Sequence, residues 1–181
     1  MLFRSRTIRL DPSDTFVFDT ASEPGEWAVS GSFIFLNEDV TKLDGRARSA
    51  FRSGFLGVQS WGWSTLVQIV EASESDYRAG VEKLAEQLVD KLGAPTSMEA
   101  EVAAEAEFAF ARSLCTHPAG ILIAVHRVDE SGDFRETFRS LQPKEQGKPF
   151  RSFAFLEADE YDAPQEKIDL LALRNKEGKV G

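Results

Sequence analysis

The clearest alternation of apolar and polar side chains lies on both sides of Gly31. The apolar positions are Trp27, Val29, Phe33 and Phe35, with serines between them. This period of two predicts a strand over residues 26–36 with one buried face. Shorter strands are predicted before it, over residues 2–10 and 15–19, because the residue types at 11–14 favour a turn.

A spacing of three or four residues between apolar side chains predicts three helices. The first is short, carries Leu43, Ala47 and Phe51, and ends at Gly54. The second covers residues 74–92, because Ser73 and Asp76 have the spacing of a capping box. Its apolar positions are Tyr77, Val81, Leu84, Leu88 and Leu92.

The third helix is predicted to begin after Thr96, with Glu99 three residues later, and to reach about Cys115. Its predicted apolar stripe consists of Val102, Ala106, Phe110 and Leu114. Residues 63–71 between the helices are apolar on both faces, as expected for a central strand.

Two strand-like runs at residues 120–128 and 133–141 predict an antiparallel hairpin with a four-residue loop at 129–132. A further strand is predicted over residues 149–157. Strands at both ends of the chain with two long helices between them favour an α+β fold. We expect a mostly antiparallel sheet with the two main helices packed on one face. One domain is predicted over residues 1–181, with a frayed tail after about residue 174.

The formal charge of −9 excludes nucleic acid as an expected partner, because an acidic surface repels phosphate backbones. The single cysteine, Cys115, allows no intrachain disulfide and no cysteine-rich zinc site. The longest apolar run covers residues 119–125, far short of the roughly 18 residues of a membrane span. We expect no export signal, no membrane association and a cytoplasmic location.

Histidine chemistry depends on two residues, His117 and His126. His126 shares a predicted strand face with apolar side chains and is interpreted as structural. Cys115 and His117 are weak catalytic candidates, because a Cys-x-His spacing does not by itself create contact and a helix C-terminus disfavours a thiolate. A small buried Cys115 is the favoured alternative.

Glu101 and Glu105 lie one helical turn apart in an acidic run that begins at Glu99. Dinuclear metal sites use such spacing but add a helical Glu-x-x-His pair, which is absent. We therefore predict no metal site, and we expect no cofactor. The run is interpreted as a solvated acidic face and a docking surface for a basic partner.

Arg135 and Arg139 project from the same side of one predicted strand, and Arg151 lies on the next. Three guanidinium groups on one polar sheet face would bind a phosphate or a carboxylate. The alternative is that these charges only keep the face soluble.

The Trp61-Gly62-Trp63 triplet precedes the predicted central strand. Trp61 and Trp63 would either line a pocket or partner contact, or fill the end of a core. The core role is favoured.

Several segments resemble a bacterial family of uncharacterised proteins, a domain of unknown function. The segments are RTIRLDPSDTFVF, EPGEWAVSGSF, RSGFLGVQSWGWSTLV, SLCTHPAGILIAVHR and RETFRSLQP. The resemblance implies a domain that covers most of the chain, and it implies no activity or site residue.

Two functions remain open from the sequence. The leading hypothesis is a non-enzymatic accessory protein that binds another protein, because no familiar catalytic motif is present. The alternative is a small enzyme or anion-binding protein that uses the arginine group and His117. A homodimer formed through a sheet edge is compatible with either.

Overall fold

The computed structural model describes residues 2–8, 14–143 and 156–158. In chain order the strands are β1 (Leu2–Ile8), β2 (Ala28–Val29), β3 (Phe55–Gly57), β4 (Trp63–Ser64), β5 (Leu66–Ala72), β6 (Leu122–Glu130), β7 (Asp133–Pro143) and β8 (Leu156–Ala158). The helices are α1 (Asp14–Val17), α2 (Gly45–Ser53), α3 (Glu74–Leu92) and α4 (Ser97–Ser113).

The strands form two antiparallel sheets, so the predicted α+β class is confirmed. The larger sheet has the order β1-β5-β6-β7-β8, and the smaller has the order β2-β3-β4. β6 and β7 make the longest hairpin, whose register runs from Leu122 opposite Leu141 to Glu130 opposite Asp133. Because side chains alternate across a strand, this register fixes which residues share each face.

One face of the larger sheet, which we call the inner face, is covered by helices. Val67, Ile69, Ile123, Val125 and Phe138 are buried there, and Phe110 and Leu114 of α4 pack against the same cluster. Residues of α2 pack on Phe134 near the hairpin end of β7. α3 packs on α4 and on apolar residues from β2, β3 and Val58. The opposite, outer face exposes side chains of β6 and β7.

Both long helices begin where their caps predict. The Ser73 hydroxyl accepts from the Asp76 backbone N–H at 3.1 Å, and the Ser73 N–H donates to the Asp76 carboxylate at 3.0 Å. Thr96 accepts from the Glu99 N–H in the same way. α3 ends at Gly93, whose φ of 66° is a conformation that glycine adopts without strain.

The predicted strand over residues 15–19 is wrong. Residues 14–17 form the short helix α1, and no strand in the described ranges pairs with them. Phe18 is buried, while Phe16 is largely exposed. Of these two rings only Phe18 packs into the core, so the alternation of apolar side chains in this segment does not indicate a strand.

The predicted strand over residues 26–36 is mostly wrong. Only Ala28–Val29 is a strand, and Ser32–Phe35 forms one turn of 3₁₀-helix. Gly31 has a φ of 81°, which turns the chain between the two pieces. A Cβ on Gly31 would lie 2.6 Å from the Leu56 Cβ and 2.9 Å from Trp63. The glycine thus lets this turn pack directly on the smaller sheet.

The hairpin is confirmed, but its predicted loop is too long. Asp129 and Glu130 still pair with β7, and the turn itself is Ser131-Gly132. Both turn residues have positive φ, as the tight hairpin turn requires. Only residues 156 and 157 of the predicted strand 149–157 lie within the described residues, and both belong to β8.

The predicted apolar stripe of α4 is also wrong in part. The buried residues are Ala100, Ala104, Phe108 and Ala111. Val102 is instead 67% exposed, and Ala106 faces solvent. Leu114 is buried as expected.

Across the described ranges, no helix combines the length and the apolar character needed to cross a bilayer.

Candidate functional site

A groove runs between α3 and α4 on their solvent-exposed side. A cavity of about 460 Å³ lies between the two helices, lined by Glu82, Ala85, Glu86, Val89, Asp90, Ser97, Ala100 and Glu101. A second cavity of about 330 Å³ continues from it and shares Glu82 and Glu101; its other lining residues are Glu74, Tyr77, Arg78, Val81 and Glu105. We call the two together the acidic groove.

Carboxylates dominate this groove. Six acidic side chains line it, against one basic side chain, Arg78. Glu86 is within 3.4 Å of the exposed Lys83. Within the described part of the chain, Glu82, Asp90, Glu101 and Glu105 make no ion pair. The groove is therefore a region of negative potential that would attract a cationic ligand.

Exposed apolar side chains accompany the carboxylates. Met98 is 74% exposed and Val102 is 67% exposed, and they lie one turn apart on α4. Glu101 and Glu105 occupy the adjoining positions of the same turns. On α3, Val89 is 40% exposed inside the groove, and Leu92 is exposed at the helix end. Exposed apolar side chains grouped within a polar rim are typical of interaction surfaces.

The sequence anticipated the acidic half of this surface and missed the apolar half. Glu101 and Glu105 do form part of a solvated face, as predicted. The predicted stripe places Val102 in the core, because its spacing from Phe110 and Leu114 suits a buried helix face. The signal that was available is the run of alanines at positions 100, 104 and 111, which permits a closer helix contact than the larger side chains do.

Arg135 and Arg139 lie on the outer face of the larger sheet. Arg135 is opposite Val128 and donates to the Glu130 carboxylate at 2.6 Å, with both side chains about half exposed. Arg139 is opposite Ala124, is exposed, and makes no ion pair with a described residue. Arg151 lies outside the described residues.

His126 lies on the same outer face, opposite Thr137. Thr137 lies between Arg135 and Arg139 along β7, so the imidazole is within diagonal reach of both guanidinium groups. The side chain is exposed. His126 shares this strand face with Leu122, Ala124 and Val128, as predicted. Its side chain is nevertheless exposed to solvent, so its structural role stays a prediction.

Cys115 and His117 follow the C-terminus of α4. Cys115 is buried, and its thiol donates to the Ala111 carbonyl at 3.4 Å. The Nε2 of His117 is buried, and no residue in the described ranges forms a hydrogen bond with it. A buried thiol engaged with a backbone carbonyl is an environment typical of a structural cysteine. A catalytic role for the two residues stays a prediction.

Trp61 and Trp63 pack on the edges of the hydrophobic clusters and are both partly exposed. Trp63 stacks on Phe35 with a ring separation of 5.4 Å, and Trp61 meets Phe33 at 6.1 Å. Trp61 has a φ of 60°, which is unusual for a bulky residue. The favoured core role agrees with these contacts.

The loop that carries Trp61 is fixed by buried polar groups. The Glu26 carboxylate accepts from the backbone N–H groups of Gln59 and Ser60, both at 2.9 Å. The Gln87 amide on α3 donates to the carbonyls of Val58 and Gln59. This loop is thus attached to α3 and to the strand entry before β2.

A buried polar cluster on the inner face was missed entirely at the sequence level. Arg127 of β6 and Glu136 of β7 are cross-strand neighbours, and each is 0% exposed. The Arg127 Nε donates to the Glu136 Oε1 at 2.7 Å. Its Nη2 donates to the carbonyls of Ser30 at 2.6 Å and Gly54 at 2.8 Å. The Nη1 group donates to the Phe51 carbonyl at 2.8 Å.

This cluster is closed to substrates. Arg127 and Glu136 have no exposed surface, and they line neither cavity of the acidic groove. Its geometry therefore serves to join β6 and β7 to α2 and to the segment after β2. No group of three or more His, Cys, Asp or Glu side chains within the described ranges has the arrangement of a metal site.

Comparison with known proteins places the chain by family. Neither a curated protein nor a solved structure matches it. A family model described as "Family of unknown function (DUF6505)" matches residues 2–158. Since this match covers most of the 181 residues, the chain belongs to the DUF6505 family of unknown function.

Proposed function

We propose that this protein is a non-enzymatic accessory protein that binds a basic segment of a partner protein in the acidic groove. The observation that supports it is the combination of Met98 and Val102, both largely exposed, with carboxylates that have no ion pair among the described residues. A surface kept only for solubility has no need of exposed Met and Val side chains beside its carboxylates.

The geometry favours a helical partner segment. Two antiparallel helices with a groove between them offer the surface on which an amphipathic helix packs through its i, i+3, i+4 and i+7 positions. The partner's apolar side chains would contact Val89, Met98 and Val102. Its lysines and arginines would reach Glu82, Glu101 and Glu105. Methionine suits this role because its flexible side chain adapts to varied partners.

Charge would act mainly on the rate and selectivity of association. Opposite charges steer diffusional encounter, and exposed pairs add little to affinity. Binding should therefore weaken as salt is raised, through a slower association rate. The apolar contacts would set the dissociation rate.

A charge-reversal experiment tests the proposal. The variant carries Glu101→Lys and Glu105→Lys, and the matched control carries Glu38→Lys and Glu71→Lys, two exposed acids away from the groove. Both variants change the net charge equally. The probe is a synthetic amphipathic helix of lysine and leucine, followed by the full-length chain as bait for native partners.

We expect the groove variant to bind the peptide at least tenfold more weakly, and the control to bind it as the native chain does. Met98→Ala with Val102→Ala should weaken binding at unchanged net charge. The proposal is wrong if the groove variant and the control retain the peptide and the same native partners equally.

A second candidate function is anion binding on the outer face of the larger sheet. The observation that favours it is that Arg139 and His126 are exposed neighbours on this face, beside Arg135. The sequence-level proposal of Arg135, Arg139 and Arg151 as a ligand site is retained in this form. Arg135 contributes less than expected, because Glu130 already engages it.

Inorganic phosphate tests this second candidate. Titration followed by NMR should shift the signals of His126, Thr137 and Arg139, and Arg139→Ala should abolish the shifts. Arg112→Ala, which removes an exposed arginine from α4, is the control. Equal shifts in both variants would mean that phosphate binds without this site.

A further inference from the structure

Glu107 of α4 lies near enough to the buried Arg127–Glu136 pair for both of their charges to act on its carboxyl group. Its helical neighbours Phe108 and Ala111 are buried, and Phe110 packs towards the inner face of the larger sheet. The residue as a whole is partly exposed, but its Oε2 atom is buried and has no hydrogen-bond partner among the described residues. The Oε2 of Glu136 is likewise buried without a partner.

Arg127 has no donor left for Glu107. A guanidinium group has five N–H donors. Nε donates to Glu136, Nη1 to the carbonyls of Phe51 and Ala50, and Nη2 to those of Ser30 and Gly54. The positive charge is thus already matched by the Glu136 carboxylate.

A second ionised carboxylate would leave this interior with a net charge of −1 and two unsatisfied oxygens. Ionised carboxylates only accept hydrogen bonds, so Glu107 and Glu136 cannot satisfy each other when both are charged. One proton on Glu107 removes the second charge, and a protonated carboxyl group can also donate a hydrogen bond, which an ionised one cannot. The net charge of the three groups then becomes zero.

We infer that Glu107 is uncharged in the folded protein, and that its buried, titratable proton keeps a second negative charge out of the interior between α4 and the larger sheet. Loss of this proton places a second negative charge against Glu136 and weakens the attachment of α4. The inference does not depend on the acidic groove binding a partner.

The electrostatic environment agrees with this assignment. Burial and, to a smaller extent, the negative charge on Glu136 raise the pKa of Glu107 from its ordinary value near 4.5 to about 8, although the positive charge on Arg127 acts in the opposite direction. Among the described side chains, Glu136 of β7 and Arg127 of β6 are the charged groups that act on it. The folded protein therefore holds the proton at neutral pH.

The sign of the pH dependence follows from proton linkage. Between pH 4.5 and about 8 the folded chain binds a proton at Glu107 that the unfolded chain has released. Raising the pH through this window therefore favours unfolding, by up to tenfold in the unfolding equilibrium constant per pH unit. The stabilising effect of the proton is complete below pH 4.5, the ordinary pKa of the side chain, and is lost above pH 8, near its pKa in the folded protein.

The test compares Glu107→Gln with Glu105→Gln, a neighbouring exposed position of the same helix. Glutamine stays neutral and can still donate a hydrogen bond. We expect E107Q to match the native chain near pH 5 and to exceed it in denaturant midpoint at pH 9, while E105Q follows the native chain throughout.

Infrared spectroscopy supplies a readout that does not depend on stability. The native chain and E105Q should show a protonated carboxyl band at pH 7 that E107Q lacks, and the band should disappear above pH 8. Absence of the band from the native chain at pH 7, or identical pH profiles of stability for E107Q and the native chain, would overturn the inference.

Discussion

Arg127 shows why a guanidinium group suits the interior of this fold. Its planar fork reaches four backbone carbonyls and one carboxylate, so every donor has a partner although the side chain is fully buried. The ammonium group of a lysine has three donors on a single atom and would leave carbonyls of α2 or of Ser30 unpaired. Buried pairs of this kind add little net stability compared with apolar residues, but losing one partner is costly.

We predict that Arg127→Met destabilises the protein by about 3–5 kcal/mol, because Glu136 would remain charged and buried without its partner. Urea unfolding at pH 7 measures this change. Arg135→Ala, which breaks the exposed pair with Glu130, serves as the control and should cost less than about 1 kcal/mol. Similar losses in the two variants would contradict the account of the buried cluster.

The buried pair could have been found from the sequence. Arg127 lies two and four residues from Val125 and Ile123, on the same strand face. Glu136 likewise shares a strand face with Phe134 and Phe138. The parity of both strands therefore placed an arginine and a glutamate on the apolar face. Nothing local in the sequence marks Glu107, because its burial depends on how α4 rotates against the sheet.

Elements defined by local chemistry were predicted best. The bounds of α3 agree with the prediction because Ser73, Asp76 and Gly93 act within a few residues of the chain. The segment around Gly31 was not predictable in this way. Its alternation of side chains is real, but its conformation depends on Leu56 and Trp63, which are distant in sequence.

The contact between α3 and α4 depends on small residues. Gly80 of α3 faces the ring of Phe108, and a Cβ at this position would lie 2.7 Å from the Phe108 Cε1 atom. Phe108 is also held by an edge-on contact with Tyr77 at 5.9 Å. The ring therefore has little freedom to move away from an added methyl group.

We predict that Gly80→Ala destabilises the protein by about 1–3 kcal/mol through overpacking. On an exposed helix position the same substitution would stabilise by about 1 kcal/mol, so the sign of the effect is diagnostic. Ala79→Gly at the exposed neighbouring position measures the propensity effect alone. A stabilised Gly80→Ala variant in thermal unfolding would show that the two helices are not tightly packed here.

At the scale of the whole molecule, the chain is acidic, and part of its negative charge gathers where the two long helices meet solvent. The chain has a formal charge of −9, and the acidic groove contributes six of its carboxylates. Like charges at this density repel each other and oppose compaction. The same repulsion is what a basic partner would relieve on binding.

We predict that salt acts oppositely on stability and on binding. Raising sodium chloride from about 10 mM to about 500 mM shortens the Debye length from about 30 Å to a few ångströms, so self-repulsion weakens and the melting temperature should rise. Binding of the lysine-rich peptide should weaken over the same range. In the Glu101→Lys, Glu105→Lys variant the rise in melting temperature should be smaller than in the Glu38→Lys, Glu71→Lys control. A melting temperature independent of salt would argue against strain from charge in the groove.

The partners of Arg127 also determine when the native interior can close as the chain is synthesised. The guanidinium group joins Ser30, the end of α2 and Glu136, and the first and last of these are 106 residues apart. In a nascent chain that has not yet emerged as far as β7, Arg127 lacks the carboxylate of Glu136. Burying its guanidinium group at that stage would leave the positive charge without a counter-charge. We therefore expect the N-terminal half to remain loosely ordered on the ribosome until the C-terminal hairpin arrives, and then to fold in one late, concerted step.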